Sequence, residues 1–291
     1  TKGRYRGFAG LWRLYRDMKS QGIDAIADLH NVLRTRVVGF FFAISGVKRV
    51  ILDKGRAAKR RLVARKKPLP IQPLPTSFDR YRQVFARLGF ETPKTFRSVF
   101  DDKHLPLPLP EGIESRREGE FWIGVAPFAK HEGKIYPLDR SESLVARLSQ
   151  REDCRVFLMG GGGEEADLLG GWAEKYPRVV SLARKRLGFA VELSMMSRMT
   201  LVVSMDSANM HLASMAGTPV VSVWGQTHPY AGFLGWRQSK ENIIQLSDLS
   251  CRPCSIFGNK PCYRGDYACM QELSVERIWN RVEEILRREK K

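Results

Sequence analysis

Three short stretches of this 291-residue chain combine residue types suited to a phosphorylated ligand. Asp206-Ser207-Ala208-Asn209 and His211 follow the apolar run Leu201 to Met205 and open an apolar helix closed by Gly217. Asp206 and Ser207 fall where a helix N-cap belongs. Unpaired N–H groups and the positive end of the helix dipole then point out of the carboxyl end of a strand, an arrangement that binds phosphate. Gly160-Gly161-Gly162-Gly163-Glu164-Glu165 lets backbone approach a ligand, and its acids stand where a carboxylate can accept hydrogen bonds from ribose hydroxyls. As a motif it is weak, because a plain tight turn with acids at a helix N-terminus explains it equally well. The loop from Pro127 to Pro137 carries Lys130, His131 and Lys134, any of which could reach a pyrophosphate. Taken alone, a lysine there is usually solvated and a lone histidine such as His211 is usually packed or capping. The specificity lies in the three turns together.

A fourth constellation, Cys251-x-x-Cys254-x7-Cys262-x6-Cys269, places four cysteines in 19 residues. A tetrahedral structural zinc site, a disulfide formed on oxidation and free thiols all fit this spacing. In each case the expected role is structural, since a closed four-cysteine site leaves no open position for catalysis.

The elements that would position these residues alternate. Phe8, Leu11, Trp12, Leu14, Tyr15 and Met18 stand at helical spacing within residues 7 to 21. Residues 24 to 29 read as a short buried strand, 32 to 44 as an apolar helix whose Phe40, Phe41 and Phe42 belong to the core, and 46 to 52 as a strand. A basic segment leads into the proline-rich stretch 68 to 75, which cannot be helical throughout. A helix over 77 to 89 and a second proline-rich run, 105 to 110, precede a domain boundary near residue 118. Beyond it the spacing predicts strands at 121–126, 155–159, 179–182 and 201–205, with helices at 138–150, 164–175 and 189–198. A terminal helix closes the chain. Strands alternating with helices imply α/β architecture, a parallel sheet covered on both faces, with ligands beyond the carboxyl ends of the strands.

The length and a hydrophobic content of 43% suit two domains, 1–117 and 118–291. No signal-peptide pattern opens the chain, and no uncharged apolar run reaches the ~18 residues of a membrane span. Five cysteines without a secretory signal point to reduced thiols or a metal rather than a disulfide framework, and to the cytoplasm. The formal charge of +18 is uneven, for residues 1–67 hold 18 Lys and Arg against four acids, a net +14. Such a field suits nucleic acid, an anionic membrane surface or a phosphorylated acceptor, or is simply a solvated basic surface. A dehydrogenase would need Gly-x-Gly-x-x-Gly and a P-loop Gly-x-x-x-x-Gly-Lys-Ser/Thr; neither is present. The runner-up reading is a basic nucleic-acid-binding protein. It is weakened because the aromatics are not interleaved with the cations on one surface.

Asp206-Ser207-Ala208-x-x-His211-Leu212-Ala213, Gly217-Thr218-Pro219-Val220-Val221 and Gly225-Gln226-Thr227-His228-Pro229 together resemble the signature of glycosyltransferase family 9, the lipopolysaccharide heptosyltransferases. Asp28-Leu29-His30 with Arg34, Asp53-Lys54-Gly55-Arg56, Lys134-Ile135-Tyr136-Pro137 and the Gly160 to Glu165 turn follow the same order. The resemblance covers nearly the whole chain. It implies a GT-B architecture of two Rossmann-like domains and an inverting, metal-independent transfer of a sugar, typically heptose, from an ADP-sugar donor to a lipid A or lipopolysaccharide core acceptor. No cofactor is required, apart from the zinc that the cysteine run would take. The implied donor-binding residues are Lys134, Gly160, Gly161, Glu164, Asp206, Ser207, Ala208 and His211. The basic N-terminal domain would meet the anionic acceptor through His30, Arg34, Lys54, Arg60 and Arg61 and touch the inner face of the cytoplasmic membrane. No nucleic acid is implied. Nothing before Gly7 resembles the family's opening strand and its glycine–aspartate loop, so the catalytic base is unassigned and the chain is expected to bind nucleotide without turnover. Asp28, His30 and Asp53 are the first positions to test should turnover occur. Ala208 replaces a glycine frequent at its position and still permits close backbone approach.

Overall fold

The computed structural model describes residues 3–67, 69–101, 104–185 and 187–290. Pro68, the first residue of the first proline-rich stretch, lies outside them. The chain divides into two compact units, one running to Arg60 and resuming over Leu74–Phe96, the other comprising Arg61–Pro73 and everything from Arg97. The division therefore does not fall at residue 118, because residues 97–117 group with the second unit. Ser98, for example, donates its hydroxyl to Ala216 O at 2.9 Å.

The first unit contains α1 (Gly7–Lys19), β1 (Ala25–Asp28), α2 (Leu33–Ile44), β2 (Lys48–Ile51), the start of α3 (Arg56–Leu62) and α4 (Ser77–Leu88). The two strands are parallel, Ala25 opposite Lys48 and Asp28 opposite Ile51. α4 starts where Thr76 caps the Asp79 N–H at 3.0 Å and Asp79 answers with its own carboxylate, and it ends on Gly89. α3 was not expected from the sequence; it is a one-sided run of cations with Leu62 as its buried residue. The core is small, with Tyr15, Val38 and Phe42 in one cluster and Val50, Leu52 and Val84 in another. Only Phe42 of the three consecutive phenylalanines is fully buried; Phe40 is 59% exposed, against the expectation that all three are core.

The second unit is built on a six-stranded parallel sheet of order β5-β4-β3-β6-β7-β8. Its elements are β3 (Phe121–Ala126), α5 (Leu138–Ser149), β4 (Cys154–Leu158), α6 (Glu164–Lys175), β5 (Val179–Ser181), α7 (Phe189–Ser197), β6 (Leu201–Met205), α8 (Ala208–Met215), β7 (Val220–Val223), β8 (Ile243–Ile244), α9 (Ala268–Gln271) and α10 (Val275–Glu289). Alternation along β3 feeds both faces. Phe121, Ile123 and Val125 join Leu144, Leu148, Val282 and Leu286 of α5 and α10, whereas Trp122 and Ala126 join Met195, Met210 and Ala213 of α7 and α8. A sheet buried on both faces explains the continuous apolar strands. Successive strands run outward from β3 to β4 and β5, then return across it to β6. The order reverses between β3 and β6, and their carboxyl ends open on a crevice of the kind that receives ligands.

Candidate functional site

That crevice is an open cavity of about 470 Å3. After β3 it is lined by Phe128, Ala129, Lys130 and Lys134; after β6 by Asp206, Ser207, Ala208, Asn209 and His211; after β4 by Glu165. Lys134 Nζ stands 3.2 Å from Asp206 Oδ2, with both side chains largely buried. Each supplies the counter-charge that the other needs in a confined site. Ser207 is the N-cap of α8, but its hydroxyl pairs with Ser204 Oγ at 3.2 Å and caps no helix N–H. The first-turn N–H groups of α8 are thus left without a side-chain cap at the cavity. Burial lowers the His211 pKa, Asp206 opposing and Lys134 adding to that shift, which favours the neutral imidazole.

The loop carrying Lys134 is held from three sides. Tyr136 OH donates to Leu273 O at 2.7 Å, and Gln226 N–H, just after β7, donates to Gly133 O at 2.9 Å. A Cβ on Gly133 would collide with the buried Gln226 carboxamide, so only glycine permits that approach. Gly258, at φ +72°, lies against the Lys134 stem, and a Cβ there would sit 2.5 Å from Cγ. Residues 252–258 are themselves clamped to the β7 loop. The buried Arg252 guanidinium donates to Trp224 O at 3.0 Å, Thr227 O at 3.1 Å, Gln245 Oε1 at 3.0 Å and the carbonyls of Gly225 and Leu246.

Of the eight donor-binding residues expected, Lys134, Asp206, Ser207, Ala208 and His211 converge on the cavity. Gly160 and Gly161 stand beside it through Glu165, whose Oε2 accepts the Gly161 N–H at 2.6 Å. Glu164 is exposed and does not line the cavity; Glu165 does. The register differs by one because α6 begins at Glu164, and neighbouring helical side chains point about 100° apart. Sequence reasoning missed Phe128, Phe233, Ile256 and Phe257 as cavity walls. The Phe233 and Phe257 rings lie 5.7 Å apart. Ile256 and Phe257 sit within the cysteine run, where thiol chemistry drew the reading.

Among the described residues no group of three or more His, Cys, Asp or Glu side chains could hold a metal ion, and all five cysteines are free thiols. The zinc reading of Cys251, Cys254, Cys262 and Cys269 therefore finds no support. Cys269 packs in the core on α9, and burial pushes its thiol up to about 12. Cys254 instead serves through its backbone, its N–H donating to Gln226 O at 3.1 Å.

In the first unit, His30 and Lys54 occupy the turns that follow the carboxyl ends of β1 and β2, with Arg34 and Arg60 exposed on the helices beyond. Arg61, also exposed, groups with the second unit. Burial depresses the Lys59 pKa, reinforced by Arg80 and Lys54, which marks the β2 turn as a concentration of positive charge. Asp28 is buried, paired with Arg49 at 2.9 Å, and accepts the Asn31 N–H at 2.7 Å. Burial raises its pKa, but these partners outweigh that and leave it lowered, a fixed anion that shapes its turn. Asp53 is exposed and accepts the Gly55 N–H at 2.8 Å.

A parallel α/β sheet whose switch point opens on a crevice lined by a helix N-terminus and a Lys134–Asp206 pair is the architecture in which α/β proteins receive their ligands. The chain belongs to glycosyltransferase family 9 (heptosyltransferase), whose family model matches residues 11–260. It is a glycosyltransferase family 9 enzyme with the parallel-sheet α/β fold of the GT-B heptosyltransferases. A family 9 glycosyltransferase from Veillonella parvula shares 17% identity over 98% of this chain and 80% of its own, with a TM-score of 0.63. Heptosyltransferase WaaC of E. coli, solved with ADP, shares 17% identity over 95% of this chain and 77% of its own, at a TM-score of 0.62. ADP-heptose LPS heptosyltransferase II of E. coli gives 16%, 97%, 82% and 0.61. No curated protein sequence matches the chain. No helix among the described residues is long and apolar enough to cross a membrane.

Proposed function

We propose that the cavity binds the diphosphate of an ADP-sugar, with heptose as the sugar, and that the enzyme transfers it with inversion, and without a metal, to an anionic lipopolysaccharide core or lipid A precursor at the inner face of the cytoplasmic membrane. The observation that carries this reading is the convergence of Lys134, Asp206 and the uncapped N-terminus of α8 at the switch point of the sheet. In such a transfer the acceptor hydroxyl attacks the anomeric carbon opposite the leaving group. The carbon–oxygen bond to the β-phosphate breaks, its electron pair passes to the phosphate oxygen, and the hydroxyl proton leaves to a base. Lys134 and the α8 N–H groups stabilise the charge arriving on ADP, the electrostatic contribution that usually dominates. Asp206 holds Lys134 in place and faces the sugar hydroxyls, while Glu165, with Glu164 beside it, meets the ribose. His30, Arg34, Lys54, Arg60 and Arg61 attract the acceptor's phosphates or carboxylates. The ADP-bound E. coli relative supports adenine as the base.

Thermal shift and calorimetry test this reading. ADP should raise the melting temperature more than UDP or GDP at equal concentration, because a ligand that binds only the folded state stabilises it by mass action. Lys134→Ala should weaken ADP binding by about tenfold or more, the value of one charge-assisted contact, and leave adenosine binding unchanged. Equal losses for both ligands would mean damage to the fold, and no shift at millimolar ADP would remove the donor-site assignment.

A further inference from the structure

Arg252 is a cation buried without a counter-ion. It is 6% exposed, and among the described residues no carboxylate pairs with it. Five uncharged acceptors satisfy its guanidinium instead: the carbonyls of Trp224, Gly225, Thr227 and Leu246, and Gln245 Oε1. Burying a charge on dipoles alone is costly, and an apolar residue of similar volume would fill the space with less desolvation. Such a residue could not gather those acceptors. They belong to the turns after β7 and β8, and a planar fork of N–H donors reaches them together. From this anchor two routes lead to Lys134. In the β7 turn, the Gln226 N–H donates to Gly133 O at 2.9 Å, which fixes the backbone beside the lysine. Beyond Arg252, the Cys254 and Ser255 N–H groups donate to Gln226 O at 3.1 and 3.3 Å, and the buried Ser255 hydroxyl accepts the Gly258 N–H at 2.9 Å. Gly258, left-handed at φ +72°, then lies against the lysine stem. Held at backbone and stem, Lys134 directs its Nζ toward Asp206 Oδ2, 3.2 Å away. Arg252 itself lines no part of the cavity.

We propose that Arg252 is a positioning residue for Lys134, acting through the β7 turn and through the turn at 255–258 to hold the ammonium where the donor's diphosphate binds. Its effect on binding rests on the donor-site reading; the placement of Lys134 does not. The fork is what matters in this role, since each acceptor it releases frees one of the turns that bracket the lysine. A buried charge acting on the ligand through its field alone would be indifferent to the shape of the group that carries it.

Calorimetry on the full chain, joined to lysine labelling, tests the role. Arg252→Met removes the fork and keeps much of the volume. It should weaken ADP binding by about tenfold, as Lys134→Ala does, and leave adenosine binding within about twofold of wild type. In the Lys134→Ala background the same substitution should lower ADP affinity by less than about twofold more, because residues that act through one contact are not additive. Arg252→Lys keeps the charge without the fork and should behave as Arg252→Met does. Ser255→Ala leaves the guanidinium in place and removes only the acceptor of the Gly258 N–H, so it reports on the same route should the Arg252 variants fold poorly; its loss should be about threefold. Without any nucleotide, Lys134, whose side chain is 14% exposed, should react several-fold faster with acetic anhydride in Arg252→Met and Ser255→Ala, while exposed Lys130 reacts as in wild type. Unchanged Lys134 reactivity, a further tenfold loss in the double variant, an equal loss of adenosine binding, or wild-type ADP affinity in Arg252→Lys would each overturn the role. If Lys134→Ala left ADP affinity unaltered, the donor-site reading would fall by itself, and the labelling of Lys134 would still decide whether Arg252 places it.

Discussion

Single side chains in this enzyme are tuned by what surrounds them, and His228 shows the effect most clearly. It is 7% exposed, its Nδ1 accepts the Tyr230 N–H at 3.1 Å, and its Nε2 lies 3.2 Å from Gln245 Nε2. Burial, reinforced by Arg252, pushes its pKa down to about 4 from an ordinary 6.5. The unfolded chain therefore binds a proton that the native protein refuses. The resulting stability is fully present above pH 6.5, falls as pH drops through the window from 6.5 toward 4, and is exhausted below it. The loss amounts to at most about 3 kcal/mol. Denaturant titrations of wild type and His228→Asn, which keeps an acceptor for Tyr230, should diverge in slope across that window. Parallel curves would show that another group carries the acid sensitivity.

Between residues and the fold stand the loops, and here backbone proximity decides function. Lys134 is placed by Gly133 lying against Gln226, whose carboxamide is buried without a hydrogen-bond partner among the described residues. Gly133→Ala should overpack this contact and cost about 1–3 kcal/mol, with weaker ADP binding because the Lys134 loop must move. Gln226→Ala removes the obstructing group and little bonding, so the double variant should recover much of the loss. Strict additivity in a double-mutant cycle would mean that the two do not share the strain. The same level explains what the sequence disclosed. The strands and helices of residues 121–223 were legible because the strands are predominantly apolar runs and the helices between them carry apolar residues at helical spacing. Asp206, Ser207 and His211 were legible because they sit where one such strand gives way to a helix. Phe257 and the Arg252 clamp were not, since they reach the site through a loop with no periodicity, and cysteine spacing offered a competing chemistry. Phe40 was misread for a related reason: an apolar residue on an apolar helix announces burial, and only the packing shows which face has a partner.

At the scale of the whole molecule, the two units differ in how much they bury. The second encloses its sheet between two extensive clusters, whereas the first rests on Tyr15, Val38 and Phe42 together with Val50, Leu52 and Val84. A small core yields little surplus over chain entropy, so the first unit is the one expected to open at lower free energy. Phe42, with no exposed surface, is the deepest side chain in it. Phe42→Ala should cost about 3–5 kcal/mol, combining lost transfer energy with the cavity left behind. Hydrogen exchange locates that cost. Amides of α1, β1 and β2 should exchange far faster in the variant, while those of β3 and β6 keep their protection and gain more when ADP is added. ADP affinity should stay within about twofold of wild type, because the cavity is lined entirely from the second unit. If Phe42→Ala instead exposed β3 and β6 equally, the units would be a single cooperative block, and the donor site would depend on a core that contributes none of its walls.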